Sequence, residues 1–335
     1  MKKKMSYWLL VCVYACLCPL LQAQSNAWEL KDIYIRDPFI LPDTNTKTYY
    51  LYRSADTTGT DGKVIGGVEC FRSKDLQHWE GPKRVFTVPE NNWITGKVWA
   101  PEVHSYAGKY YLFATLNSDI QWKKSVPGWP SYTFRGTQIF RADRPEGPFL
   151  PLGQFPQTPM ERMALDGTLW VEEEIPYMVF CHEWVQIVDG GMDLVRLSED
   201  LSQAVEAPQT LFHASAADWS TGSATGDQTT YVTDGCFLYR THTGKLLMIW
   251  SSFKEGQYAM GVAESVTGRV AGPWRQQPKP LFEQEGGHGM IFRTFEGRLC
   301  IVFHNQNSSN GGERAQIYEI EDQEETLKVK GKFIP

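Results

Sequence analysis

The chain has 335 residues and a formal net charge of -6, a length that fits one large domain or two ordinary ones. Hydrophobic residues make up 42% of it, enough for a real core, and the mild acidity argues against nucleic acid as a partner, because phosphate binding needs a basic face. Aromatic residues reach 13%, with 12 Trp and 15 Tyr; ring faces of this kind stack on the apolar faces of sugars, although all-β proteins are aromatic-rich for their own reasons.

The chain opens with a targeting pattern. Lys2, Lys3 and Lys4 precede the apolar run YWLLVCVYACLCPLL, and Ala23 offers a small residue for cleavage. The pattern predicts a secretory signal peptide over residues 1–23, export to the periplasm or beyond, and a mature terminus at Gln24. The apolar run is short and interrupted by Pro19, so no membrane span is expected. Cys16 marks a lipoprotein alternative, opposed by the bulk of Tyr14. Beyond the signal, Cys70, Cys181, Cys236 and Cys300 are widely spaced beside apolar strands, which suits small buried hydrophobes better than a zinc site.

Five segments then echo one another: KTYYLYRS (47–54), GKYYLFAT (108–115), IPYMVFCH (175–182), GKLLMIWS (244–251) and GRLCIVFH (297–304). Each is an apolar or aromatic run that ends in a small or polar residue, and four follow a turn signal, which reads as a strand. A second echo ends near Gly-Pro or Ala-Pro, in FRSKDLQHWEGP, FRADRPEGPF, VRLSEDLSQAVEAP and AESVTGRVAGPW. The period of roughly 50–70 residues is that of propeller blades; a β-sandwich would turn every 8–12 residues or so. With no linker in residues 24–335, the expectation is an all-β, five-bladed β-propeller forming a single domain.

In a propeller the innermost strands face a central channel, so polar residues at their starts are the suspects. In chain order they are Arg36-Asp37-Pro38; Trp99-Ala100-Pro101-Glu102 with His104, where Glu102 and His104 share one face of a strand; Asp166, set among apolar residues where a lone charge must be paired or channel-facing; His182-Glu183-Trp184 at the end of an apolar run; Asp234-Gly235; and His288 between glycines. Asp37 before proline and Asp166 before glycine are also ordinary turn residues, and a lone histidine is more often structural.

The ordered motifs Arg36-Asp37-Pro38, Trp99-Ala100-Pro101-Glu102, Leu165-Asp166-Gly167, Asp234-Gly235 and Gly287-His288-Gly289 resemble those of glycoside hydrolase family 43, the five-bladed arabinofuranosidases, xylosidases and arabinanases, and the resemblance spans nearly all of residues 24–335. It implies that Asp37 is the general base and that Asp166 orients the acid and raises its pKa. From their positions at strand starts and ends, Arg36, Trp99, Glu102, His104, His182 and Trp184 are expected to contact substrate, and the resemblance together with the flanking glycines implies an axial cation, calcium foremost, held by His288 directly or through water. The family's general acid is a Glu before Gly-Pro in the fourth blade, where this chain has Asp234-Gly235-Cys236. An aspartate there is about 1.5 Å too short if the backbone is unchanged. By similarity to related sequences, the 175–182 run is the innermost strand of the third blade and its end faces the active centre, so Glu183 is the other candidate acid, favoured for its length. The implied activity is inverting hydrolysis of an oligosaccharide or polysaccharide, exo-acting on α-L-arabinofuranosyl or β-xylosyl ends, with no organic cofactor. A non-catalytic carbohydrate-binding propeller, or a lyase or transferase using the same channel, is the alternative.

Overall fold

The computed structural model describes residues 27–335 apart from 91, 95 and 308–310. The signal segment, Gln24 and the lipidation candidate Cys16 lie outside the described residues. Five antiparallel sheets follow one another along the chain as five blades of a propeller. Blade I comprises Phe39–Asp43, Thr48–Ser54, Gly67–Ser73 and His78–Thr87, with Trp28–Glu29 on its outer edge. Blade II runs through Val98–Tyr106, Lys109–Lys123, Tyr132–Ala142 and Leu150–Pro151. Blade III runs through Ala164–Glu172, Ile175–His182, Gly191–Arg196 and Gln209–His213. Blade IV comprises Asp234–Arg240, Leu246–Lys254, Gln257–Ser265 and Trp274–Gln276, and blade V Gly286–Arg293, Leu299–Asn305, Arg314–Asp322 and Leu327–Lys332. A short ribbon, Ser223–Thr225 with Gln228–Thr230, stands between blades III and IV.

The five echoed runs are the second strand of each blade, and the innermost strand is the one before it; 175–182 is thus not the inner strand of blade III, which is Ala164–Glu172. The reason is physical. A second strand is covered on both faces by neighbouring blades and reads as a continuous apolar run, as in Leu246–Trp250, where every residue is buried. An innermost strand lines the axis and alternates small, polar and apolar residues, a weaker signal. The large fully buried side chains, among them Trp79, Phe113, Phe140, Phe180, Trp250 and Phe303, pack between blades, and all four described cysteines are buried and free. The ring closes where Tyr34 bridges Arg314 and the Ile35 N–H donates to the Glu313 carbonyl at 3.2 Å, tying the segment before blade I to blade V.

Every blade places one residue in the left-handed backbone region where its innermost strand begins: Asp37 (φ +51°), Ala100 (+41°), Asp166 (+55°), Gly235 (+49°) and His288 (+52°). In blades II to V the strand pairing slips at the same point, the mark of a β-bulge, and a bulge re-aims the side chain that carries it. For a non-glycine residue this conformation costs about 1–3 kcal/mol, so neighbours must hold it. They do so across the blade boundary. The polar residue that ends an echoed run accepts the N–H of the bulged residue in the next blade: Thr115 Oγ1 from Asp166 at 2.8 Å, Ser251 Oγ from His288 at 2.9 Å, and His304 Nδ1 from Asp37 at 3.2 Å.

Candidate active site

The left-handed positions place three of the suspects, Asp37, Asp166 and His288, together with Asp234. Nδ1 of His288 lies 3.1 Å from Asp37 Oδ1, 3.4 Å from Asp234 Oδ1 and 3.9 Å from Asp166 Oδ2. Asp166 Oδ2 also accepts the Gly235 N–H at 3.2 Å, and the Tyr258 hydroxyl donates to Asp234 Oδ2 at 2.6 Å. Gly235 is required here: a β-carbon would stand 2.5 Å from the His288 ring and 2.7 Å from its Cα. Arg36 reaches Asp37 at 3.8 Å and Glu313 at 3.3 Å.

This packing divides the carboxylates. Burial pushes Asp37 up, but the positive charge of His288, 3.1 Å away, outweighs it and carries Asp37 well below the usual carboxylate range. Asp234 is likewise pushed up by burial and brought down further by His288, so it stays ionised. Asp166, the most enclosed, goes the other way: burial raises it well above its ordinary value, His288 counteracts in part, and Asp234 adds to the rise. His288, disfavoured as a cation by burial, is raised well above its ordinary value by Asp37 and Asp166 and is an imidazolium. His304 accepts the Asp37 N–H through Nδ1, which leaves its Nε2 facing Asn307 Oδ1 at 3.4 Å.

Glu183 stands apart from this cluster, on the wall of the same cavity. Its backbone N–H donates to the Met163 carbonyl at 2.9 Å, and its carboxylate pairs with Arg135. Burial raises its pKa, Arg135 opposes the rise, and the charge on Asp234 adds to it, so the net direction is up. The cavity holds about 720 Å³ and draws Arg36 and Asp37 from the entry to blade I, Trp99 from II, Asp166, Glu183 and Trp184 from III, Asp234 and Tyr258 from IV, and Asn307 and Glu313 from V. Ser223, Thr225 and Thr230 of the ribbon add a wall. A second lobe of about 490 Å³ shares Tyr34, Arg36, Asp37, Lys97 and Trp99 with it and runs out over blades I and II.

Three residues expected at the substrate stand elsewhere. Glu102 and His104 do share a face, and are 2.8 Å apart, but they lie below the bulge at Ala100, outside the cavity lining, with the His104 ring edge-on to Phe39 and Phe113. The His182 ring turns away from the cavity: Nε2 is 2.9 Å from Gln186 Oε1, and Nδ1 is 3.5 Å from Asp193, which Arg162 also pairs. It follows strand alternation, because neighbours on a strand point to opposite faces and Glu183 takes the cavity side. Four residues of the site escaped the sequence. Tyr258 and Arg135 sit on third strands that carry no pre-strand motif; Glu313 enters only through ring closure. His304 was legible in principle, as the polar end of the fifth echoed run.

A propeller whose axis gathers several carboxylates with opposed pKa shifts under one cavity has the makings of an acid–base hydrolase acting on acetals. The comparisons name the class: the model of glycosyl hydrolases family 43 matches residues 32–323. The chain belongs to glycosyl hydrolases family 43 and is a glycoside hydrolase, rather than a binding module or a lyase. It is similar to the crystal structure of an endo-arabinase from Bacteroides thetaiotaomicron, at 37% identity over 91% of this chain and 98% of that one, with a TM-score of 0.77. The α-L-arabinofuranosidase from Lactobacillus brevis shares the fold at 19% identity, covering 90% of this chain and 95% of that one, with a TM-score of 0.71. The extracellular endo-α-(1→5)-L-arabinanase 1 of Bacillus subtilis (strain 168) is 26% identical over 102 residues, and the match spans only 29% of each chain.

Proposed function

We propose that the chain hydrolyses α-L-arabinofuranosyl linkages, or β-xylosyl ones, with inversion, releasing single sugars from chain ends. The observation that carries this reading is the split within one cavity: Asp37 is held ionised by His288, while Glu183 is pushed toward its protonated form. An ionised carboxylate takes a proton from water; a protonated one gives a proton to the leaving oxygen; attack from the opposite face inverts the anomeric centre. Asp234 is a poor donor because it stays charged, and its role is to lift Glu183 and bind. Arabinofuranosyl is favoured by the similarity to the endo-arabinase. The ribbon wall supports end-on binding, and the second lobe favours a second reading, internal cleavage of a chain threaded over blades I and II. Nitrophenyl arabinofuranosides and xylosides, with NMR of the first-formed anomer, test the chemistry; the length distribution of early products from arabino-oligosaccharides separates exo from endo action. Retention of configuration, or no turnover of either sugar, overturns the reading.

A divalent cation on the axis, calcium foremost, belongs to the same proposal. Asp166, Asp234 and His288 present donor atoms within 4.8 Å of one another, and His288 Nδ1 and Asp37 Oδ1 lack a well-directed hydrogen bond among the described residues. The set therefore fits a cation completed by water. Calcium prefers oxygen, so the carboxylates would hold it, with His288 contributing only after losing its proton. Bound there, it would supply positive charge beneath the reacting sugar. Chelation should lower activity and melting temperature, and calcium should restore both; no change in either speaks against the ion.

Export is proposed as well: the extracellular arabinanase relative is consistent with it, and no helix among the described residues is long and apolar enough to cross a membrane. Sequencing the native N-terminus tests cleavage after Ala23, and lipid on Cys16 would replace that reading.

A further inference from the structure

Arg135 occupies an unusual place. It lies on the third strand of blade II, at a slip in the strand pairing with Lys109–Lys123. Only 11% of its side chain is exposed, a costly position for a guanidinium unless it is paired. Its partner is Glu183, on another blade. Its guanidinium also lies 4.9 Å over the ring of Trp99, and Thr133 Oγ1 accepts from it at 3.3 Å. Its Nε is buried without a partner among the described residues, so the group is held by these contacts rather than by a saturated network. A planar cation with one face on an aromatic ring and Nη1 on Oε2 of the carboxylate limits how far that carboxylate can swing, because the guanidinium itself is held by the ring and by Thr133.

We propose that Arg135 is a positioning residue of the reaction, which uses Trp99 as its backing and holds the Glu183 carboxyl at the angle needed to protonate the leaving oxygen. The inference rests on Glu183 being the proton donor. Its logic is that the shell of a donor must be as rigid as the donor is placed: a misplacement of about 1 Å costs about 100-fold, and a glutamate on a loop turn has freedom that a strand-borne aspartate lacks. The same contact opposes protonation of Glu183, so the donor is poised between Arg135 on blade II and Asp234 on blade IV, with His182 beside it in sequence and Arg36, Asp37, Lys97, Asp166, Tyr258 and Glu313 around the cavity.

The test compares Arg135→Gln and Arg135→Lys on two substrates, an arabino-oligosaccharide and a dinitrophenyl arabinofuranoside, with full pH profiles and a melting curve. A positioning residue for the donor matters where the leaving group needs a proton. Arg135→Gln should lower kcat on the oligosaccharide by about 30–100-fold and on the dinitrophenyl glycoside by about threefold or less, and it should move the basic limb to higher pH because the opposing charge is gone. Arg135→Lys keeps the charge, loses the planar stack, and should restore the basic limb with only part of the rate. If both substrates slow equally and the basic limb stays, Arg135 is merely structural and the inference fails. Should the glutamine variant not fold, the split between substrates in the lysine variant decides alone. Glu183→Gln in the same assays reads the parent assignment: without a leaving-group split there, the donor assignment falls and this inference with it; with a split there and none at Arg135, only this inference falls.

Discussion

The axis and the rim of the cavity hold the same kind of group and treat it in opposite ways. On the axis, Asp37 and Asp234 sit against an imidazolium and keep their charge; on the rim, Glu183 sits against an arginine and still rises. The difference lies in how many carboxylates each cation serves. His288 lies within 4 Å of three, two of which it holds down, while Arg135 faces a single carboxylate that burial and the nearby Asp234 charge work to neutralise. Side-chain type does not assign base and acid here. The neighbours do, by favouring one protonation state at each position.

The largest expected effect breaks the axis. Asp37→Asn should lose more than about 100-fold in kcat on every substrate, activated or not, because the water it activates is needed in each case. Retention of a tenth of the wild-type rate by a folded variant removes Asp37 from the base role. The next breaks the rim. Glu183→Gln should lose about 100-fold or more on a sugar leaving group and far less on dinitrophenolate, which departs without a proton. The pH profile follows with a definite sign. The base must be ionised and Asp37 is lowered, so the acidic limb lies below the ordinary Asp range; the acid must be protonated and Glu183 is raised, so activity falls only above the ordinary Glu range. Glu183→Gln should erase that basic limb and leave the acidic one.

Asp234→Asn sharpens the comparison, because it couples the two regions. Removing its charge removes one of the causes that lift Glu183, so the basic limb should move to lower pH, while both substrates slow by similar factors. A rescue by the good leaving group in this variant instead would make Asp234 the donor despite its shorter side chain. The smallest effect on chemistry and the clearest on stability belongs to Gly235→Ala. The added carbon meets His288 at 2.5 Å in a backbone conformation with φ +49°, so a loss of about 1–3 kcal/mol is expected in denaturant unfolding. An unchanged midpoint would mean that the bulge relaxes freely.

The sequence by itself determined the architecture and the axis. Runs such as GKLLMIWS are written by burial on both faces, which is a local composition rule, so their spacing announced five blades. Asp37, Asp166, Asp234 and His288 stood out because each opens a strand with a group that has no place in a core, and the structure brings all four together. Only the tertiary structure decided which strand is innermost, since the lining of a channel has no strong pattern of its own. Only it turned His182 and Glu102 away and set Arg135 against Glu183, because that pairing joins residues 48 positions apart across two blades. Protonation states were decided there too. They depend on desolvation and on charges a few ångströms away, and the closing of the ring creates both at once.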